Sequence, residues 1–237
     1  MRFILTVYAA LVIAGMSASQ SFAAEDGAIY GTVKAMGHKD VLAKWSAQTT
    51  EKTNDSLGYG NASNLPAGAI DYSNLSGIYV ILDDPNYKGG RFHEVRIEPD
   101  GSWPSALAVA VGDKLRINNE TENDITVYLA GDGDDDIQEL PVIEAGRSET
   151  LVVELSGQLE LGVDEIESVA VPVVSGPGWR TQRLSSGDEY EFEDIKPGDY
   201  SLVFWFWRLG SITQRVTVGA GKRIKIDQIL SVDRIVK

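Results

Sequence analysis

The sequence contains no cysteine among its 237 residues and only two histidines. The absence of thiols excludes disulfide bonds, thiol catalysis, cysteine-ligated metals and anchoring through a lipidated cysteine. A G-x-S-x-G nucleophile elbow is also missing, and Gly221-Lys222 lacks the upstream glycine of a phosphate-binding loop, with Val216 in its place. Paired carboxylates occur, but chance pairing is expected among 35 acidic residues. The sequence therefore favours a non-enzyme, and we predict no catalytic residue, no cofactor and no bound metal.

Long apolar runs are scarce, and the one that stands out lies at the N-terminus. It extends from Phe3 to Gly15 behind the single cation Arg2 and is followed by the small-residue exit Ser21-Phe22-Ala23. This pattern predicts a secretory signal peptide over residues 1–23 and a mature chain that starts at Ala24. The rest of the sequence has no stretch of about 18 apolar residues. We therefore expect Sec export to the periplasm, with secretion as the alternative, and no membrane insertion of the mature chain.

Positive charge is also in short supply, and it is unevenly distributed. The full sequence has a net charge of −14. Loss of the signal peptide removes Arg2 and no acid, which gives −15 for the mature chain. From Trp207 onward, however, seven Lys or Arg face two Asp. The acidic total argues against a nucleic-acid partner. It favours solubility, while the basic end could orient a partner or order molecules head to tail.

Most of the sequence reads as short alternating strands separated by turns, which is typical of β-sandwiches and barrels. Residues 36–69 differ, because residues 39–48 have helical spacing and residues 49–68 are rich in Asn, Ser, Gly and Thr. A second series of strands begins at Val169. We predict an all-β chain with two consecutive sandwiches, one over 24–165 with an insertion at 36–69 and one over 166–237.

The stretch from Trp103 to Glu120, WPSALAVAVGDKLRINNE, resembles the opening of periplasmic cupredoxin-like domains. The matching positions are Trp103, Pro104, Val109, Val111, Gly112 and Asn118. The resemblance implies a Greek-key sandwich and, in copper-binding members, a histidine where this sequence has Ile125. The second copper cluster of the family would fall in residues 157–171, which contain no Cys, His or Met. Type 1 copper needs a thiolate and two imidazoles, so we predict a cupredoxin-like domain without copper ligands.

The second series of strands resembles carboxypeptidase-regulatory-like, transthyretin-type domains. Such domains follow cupredoxin-like domains in a group often labelled methylamine utilisation proteins. The matching positions are Pro197, Gly198, Tyr200, Leu202, Trp205 and Leu209. The family's His and Glu are replaced here by Phe206 and Trp207. The resemblance implies a cell-envelope setting, and residues 36–69 fall outside it.

Four aromatics in succession, residues 204–207, end the strand that follows the Pro197-Gly198 turn. Alternation places Trp205 and Trp207 on the face opposite Tyr200. One interpretation is that they pack against the first module, since large aromatics are readily buried at interfaces. The other is an exposed ligand or partner surface formed by Trp205 and Trp207, which Arg208 and Trp179 could extend.

Two further patterns suggest metal ligands only weakly. Asp132, Asp134 and Asp136 begin a calcium-loop pattern, but the sequence then lacks the glycine and the terminal glutamate that an EF-hand needs. His93 shares a strand face with Val95 and Ile97, which is typical of a structural histidine, and His38 lies in a polar turn. Weak divalent-metal binding through the acidic loop stays an alternative.

These observations favour an exported, non-catalytic binding or interaction module of the cell envelope. The expected partner is another periplasmic or envelope protein. A glycan that stacks on exposed tryptophans is the alternative ligand.

Overall fold

The computed structural model of the protein describes residues 25–37, Tyr72 and residues 75–99, 103–133, 136–166 and 170–231. Every helix or strand element in these residues is a strand, which confirms the prediction of an all-β chain. No helix in these ranges is long and apolar enough to cross a membrane. The predicted signal peptide, the helical spacing at 39–48, His38 and Asp134 lie outside the described residues.

The strands are short and joined mostly by turns. In chain order they are β1 (Gly27–Met36), β2 (Ser76–Asp83), β3 (Phe92–Ile97), β4 (Leu107–Ala110), β5 (Lys114–Asn119), β6 (Val127–Ala130), β7 (Ile137–Glu139), β8 (Ser148–Val152), β9 (Gly157–Val163), β10 (Val171–Gly176), β11 (Trp179–Ser185), β12 (Glu189–Ile195), β13 (Gly198–Phe206), β14 (Gly210–Val218), β15 (Arg223–Lys225) and β16 (Gln228–Ser231).

The first sandwich is built from β3 to β10. One sheet has the order β4-β10-β9-β6-β7 and the other has the order β3-β5-β8. Alternating apolar residues such as Val95, Ile117 and Leu129 point between the two sheets and are fully buried. Burial of these side chains is the main source of this module's stability.

The second sandwich combines strands from both ends of the sequence. One sheet has the order β12-β1-β15, with β16 also paired to β1, and the other has the order β11-β2-β13-β14. Ile29 of β1, Leu82 of β2 and Phe204 of β13 meet in its core and are fully buried. The core face of β13 continues with Tyr200, which is the face that the transthyretin-type resemblance implies for the core.

The strand pairing differs from the predicted division into residues 24–165 and 166–237. Strands β1 and β2 belong to the second sandwich, and β10 belongs to the first. The first sandwich, residues 92–176, is therefore inserted between β2 and β11 rather than placed ahead of the second. β2 is buried on both faces from Gly77 to Leu82, which requires a central position in a sheet, and its pairing with β11 and β13 provides that position in the second sandwich.

A third apolar cluster joins the two sandwiches. It contains buried Tyr79 and Ile81 of β2 and Ala108 of β4, and its partly buried members are Val174, Trp179, Val203 and Trp205. The Tyr79 hydroxyl donates a hydrogen bond to the Ala106 carbonyl at 3.1 Å. The chain crosses between the sandwiches twice, after β2 and before β11. These two crossing segments meet where the Asp84 amide donates a hydrogen bond to the Gly178 carbonyl at 2.8 Å. We call this region the junction.

Candidate functional site

Trp205 lies on the outer face of β13, in the junction. Its ring centroid is 5.8 Å from that of Tyr79, with 44° between the ring planes. The side chain packs in the cluster with Val174 and Ala108 of the first sandwich and is only partly buried. These contacts therefore link β13 of the second sandwich to the first sandwich.

Trp179 opens β11 and belongs to the same cluster. Its ring covers Gly176, where an added Cβ would come within 2.3 Å of the indole. Only glycine allows this close approach, so the turn from Gly176 to Trp179 fixes the ring against the backbone. The structure thus brings Trp179 and Trp205, which are 26 positions apart in sequence, into one cluster.

Trp207 and Arg208 lie elsewhere, in the turn between β13 and β14. Trp207 is partly buried against the core of the second sandwich. The Arg208 guanidinium carbon is 4.5 Å from the Trp207 ring centroid, a cation–π distance. The four predicted site residues therefore form two separate groups rather than one flat surface.

A groove of about 560 Å³ runs along the outer end of β2, β13 and β14 and beside the crossing at Pro85. Its volume is within the range typical of small-molecule and peptide pockets. The lining residues are Asp83, Pro85, Asp199, Tyr200, Ser201, Arg215, Val216 and Thr217. Sequence reasoning missed this site, because only the sheet order brings β2 beside β13 and β14.

The strand register places opposite charges on either side of a hydroxyl in the groove. Asp83 pairs across the sheet with Ser201, and Ser201 pairs with Arg215. Thr217 donates a hydrogen bond from its hydroxyl to Asp199 Oδ1 at 2.5 Å. Ser201 is half-buried and the other four residues are exposed. Together they offer carboxylate acceptors, a guanidinium donor and hydroxyls within one surface, which suits recognition of a polar ligand or a polypeptide backbone.

Tyr200, a core residue of β13, also contributes to the lining of the groove. Burial, together with the nearby carboxylates of Asp84 and Asp26, raises the pKa of its phenol. The hydroxyl donates a hydrogen bond to the Lys196 carbonyl at 2.6 Å. The phenol is therefore neutral at physiological pH and already has a partner for its proton, which leaves ligand binding to the charged residues.

His93, predicted to be structural, lies beside a buried carboxylate. Asp113 is 1% exposed, and its Oδ2 is 2.8 Å from His93 Nε2. Asp113 also accepts hydrogen bonds from the amides of Ala110 and Arg91, each at 3.0 Å, and from the Tyr87 hydroxyl at 3.2 Å. Burial alone would raise the pKa of Asp113, but the hydrogen bonds from His93, Ala110 and Arg91 outweigh it and hold this pKa below its ordinary value.

This carboxylate ties the crossing segment at residues 84–91 to the turn before β5. Arg91 extends the link, because its guanidinium donates to the Thr181 carbonyl of the second sandwich at 2.8 Å. The His93 environment is therefore a structural part of the junction rather than an open site.

The acidic loop is described only in part. The Asp136 amide donates to the Gly133 carbonyl at 3.0 Å, which closes a turn at this point. Across the ranges that the structure describes, no group of three or more His, Cys, Asp or Glu residues is arranged to hold a metal ion. Weak metal binding through this loop stays a prediction, with Asp134 outside the described part.

Ile125 occupies the position that corresponds to a copper histidine in the cupredoxin resemblance. Its side chain is 1% exposed in the core of the first sandwich, and its backbone pairs with that of Ile143. An apolar side chain therefore fills this part of the core.

Solved structures of amicyanin, a copper protein, resemble part of the chain. A methionine-to-alanine variant with Cu(I) and a proline-to-glycine variant in the reduced Cu(I) form at pH 4 each match at 19% identity. Both matches cover 38% of this chain and 84% of the amicyanin chain, with a TM-score of 0.31. A reduced tryptophan-to-tyrosine variant matches at 15% identity over 40% and 90% of the two chains, also with a TM-score of 0.31.

No protein-family model matches the sequence, and no curated protein does. The amicyanin matches cover about two fifths of the chain. The transthyretin-type module and the methylamine-utilisation grouping stay predictions.

Proposed function

We propose that the chain is an exported, non-catalytic interaction module of the cell envelope. In this proposal a cupredoxin-like sandwich without type 1 copper ligands is carried as an insertion on a transthyretin-like sandwich. The partner is a periplasmic or envelope protein. The observation that carries the proposal is the groove along β2, β13 and β14, where charged and hydroxyl groups converge beside the junction.

The groove favours binding because strands hold its charged residues in place. Asp83, Ser201 and Arg215 stand in register on three adjacent strands, so the sheet hydrogen bonds fix their spacing before a ligand arrives. Preorganisation of this kind reduces the ordering cost of association.

The chemistry of the lining supports binding rather than catalysis. Hydroxyls of Ser201 and Thr217 line the groove, but its residues include no imidazole or amine that could activate them as nucleophiles.

Export rests on the predicted signal peptide over residues 1–23. The experiment for this part is mass spectrometry of the protein from the periplasmic fraction, where the expected N-terminus is Ala24. Recovery of the full-length chain from the cytoplasm alone would contradict export.

The loss of copper chemistry rests on the absence of cysteine and on buried Ile125. When Cu(II) is added to the purified protein, we expect no intense visible thiolate band. A strong blue colour would contradict the proposal.

Interaction with a protein is tested by site-specific photo-cross-linking in envelope extracts. The cross-linker replaces Thr213, an exposed residue of β14 beside the groove, and in the control it replaces Arg116, an exposed residue of the first sandwich. We expect a discrete protein adduct from position 213 and none from position 116. The absence of an adduct at 213, or equal adducts at both positions, would refute the proposal.

The glycan alternative has less support, because Trp179 and Trp205 pack in the junction and Arg208 lies over Trp207. It is tested by titrating glycans while tryptophan fluorescence is followed. A saturable shift that Trp207→Ala abolishes without loss of stability would favour a glycan over a protein partner.

A further inference from the structure

β14 is one of the two edge strands of the β11-β2-β13-β14 sheet. Its nine residues pair with β13 in a continuous register, from Gly210 opposite Phe206 to Val218 opposite Gly198. Among the described residues, no other strand pairs with it. An edge strand presents unpaired backbone N–H and C=O groups along its free side, which are a template for another strand.

This edge lacks most of the features that protect natural edge strands. β14 contains no proline, its register with β13 shows no bulge, and Arg215 is its only charged residue. The edge strand β7 of the other sandwich, in contrast, is only three residues long. A long, regular edge strand with one charge is suited to strand addition.

The two faces of β14 define what an added strand would meet. Ile212, Gln214 and Val216 point to the core side, where Val216 is buried and the other two are half-buried. Gln214 donates a hydrogen bond from Nε2 to Gln228 Oε1 of β16, so its amide already has a partner. Thr213, Arg215 and Thr217 point to the outer side and are exposed. An incoming strand should therefore alternate apolar residues, beside Ile212 and Val216, with polar residues on the outer side.

The charge of this part of the chain indicates which polar residues the added strand should carry. Residues 207–231 contain five Lys or Arg and one Asp, although the whole sequence has a net charge of −14. Arg223 is paired with Glu191 and Lys225 with Asp227, whereas Arg215 has no ion pair among the described residues. A carboxylate directly across from Arg215 on an added strand would form a favourable cross-strand pair.

We propose that the β14 edge binds an extended segment of a partner polypeptide by strand addition, with an acidic residue of that segment facing Arg215. This inference rests on the proposed function and specifies its partner. A second copy of the chain is a poorer occupant, because β14 contains no acidic residue and self-pairing would place no carboxylate opposite Arg215.

The test uses the full mature chain and a fluorescein-labelled nine-residue peptide in which valines alternate with threonines and two aspartates. Two control peptides replace the aspartates with lysines or carry N-methyl groups on alternate backbone nitrogens. Binding is measured by fluorescence anisotropy at low salt, where a surface charge pair contributes most. We expect the lysine and N-methyl peptides to bind at least tenfold more weakly than the aspartate peptide.

Variants of the chain test the position of the peptide. Arg215→Glu should weaken binding of the aspartate peptide at least tenfold and strengthen binding of the lysine peptide. Arg116→Glu, which reverses an exposed arginine of the first sandwich, should change neither affinity more than twofold. Peptide addition should also slow hydrogen exchange of β14 amides, and circular dichroism of each variant verifies that it is folded.

Equal binding of the N-methyl and parent peptides, no binding of the aspartate peptide, or equal effects of Arg215→Glu and Arg116→Glu would overturn the inference. The proposed function can still hold in these cases, because cross-linking at position 213 detects a partner whatever its mode of contact. If both experiments are negative, both proposals fail.

Discussion

Replacement of Asp113 by alanine should destabilise the first sandwich more than any other single acidic substitution in it. The carboxylate accepts four hydrogen bonds, and its residue is 1% exposed. A hydrogen bond to a charged group contributes about 1.5–3 kcal/mol to the free energy of unfolding. The bonds from Ala110, which is fully buried, and from His93 therefore give about 3–6 kcal/mol. Arg91 and Tyr87 are closer to solvent and can bind water instead.

The free energy is best measured by native-state hydrogen exchange, because amides of β4, β5 and β10 report on the first sandwich alone. Asp113→Asn retains one acceptor oxygen, so its loss of unfolding free energy should be about half that of Asp113→Ala. The matched control is Asp132→Ala, an exposed aspartate of the same sandwich, which should change the free energy by less than about 0.5 kcal/mol. A loss below about 1 kcal/mol for Asp113→Ala would refute the reasoning, because the buried donors would then have found other partners.

Three further predictions concern pH and the junction. The folded pKa of Asp113 is lowered, so its contribution is present above the unfolded value of about 3.9 and is lost as the pH falls through the folded pKa. Acid unfolding followed by circular dichroism should therefore depend less on pH in Asp113→Asn, and identical profiles would contradict this. Trp205→Ala should lower the free energy of unfolding, measured in urea, by about 2–4 kcal/mol. Removal of a fully buried tryptophan typically lowers it by about 3–5 kcal/mol, and Trp205 is only partly buried. An unchanged urea midpoint would show that Trp205 does not hold the junction. Gly178→Ala should lower the melting temperature more than Gly187→Ala. Both glycines have positive φ, so both substitutions strain the backbone. An added Cβ at Gly178 would also lie 2.7 Å from the Asp84 carbonyl oxygen, whereas one at Gly187 would meet no atom within 4 Å. Equal losses would indicate that backbone strain, not the contact, decides the outcome.

Alternation of apolar residues was sufficient to predict which residues of a strand share a face. Tyr200, Leu202 and Phe204 share the buried face of β13, as a period of two requires. The same rule placed Val95 and Ile97 inward on β3. Such predictions succeed because the direction of a side chain depends only on the local backbone.

The order of the modules could not be obtained in this way. Strand β2 is apolar on both faces, and a double-sided apolar strand can be central in either sandwich. Pairing of β2 with β11 and β13, about 100 and 120 residues away, assigns it to the second sandwich. The groove was missed for the same reason, since Asp83 and Arg215 meet only through this sheet.

The sequence by itself determined the absence of thiol chemistry, the all-β class and the basic end of an acidic chain. It also showed four aromatics in succession and placed Trp205 on the face opposite Tyr200. The same placement was wrong for Trp207, because β13 ends at Phe206 and Trp207 lies in the following turn, where it packs against the core of the second sandwich. Tertiary structure alone decided that Trp205 packs in the junction, that Trp207 lies beneath Arg208, and that one sandwich is inserted in the other. These features depend on which distant strands pair and in what register, and pairing is set by burial of whole sheet faces rather than by any local pattern.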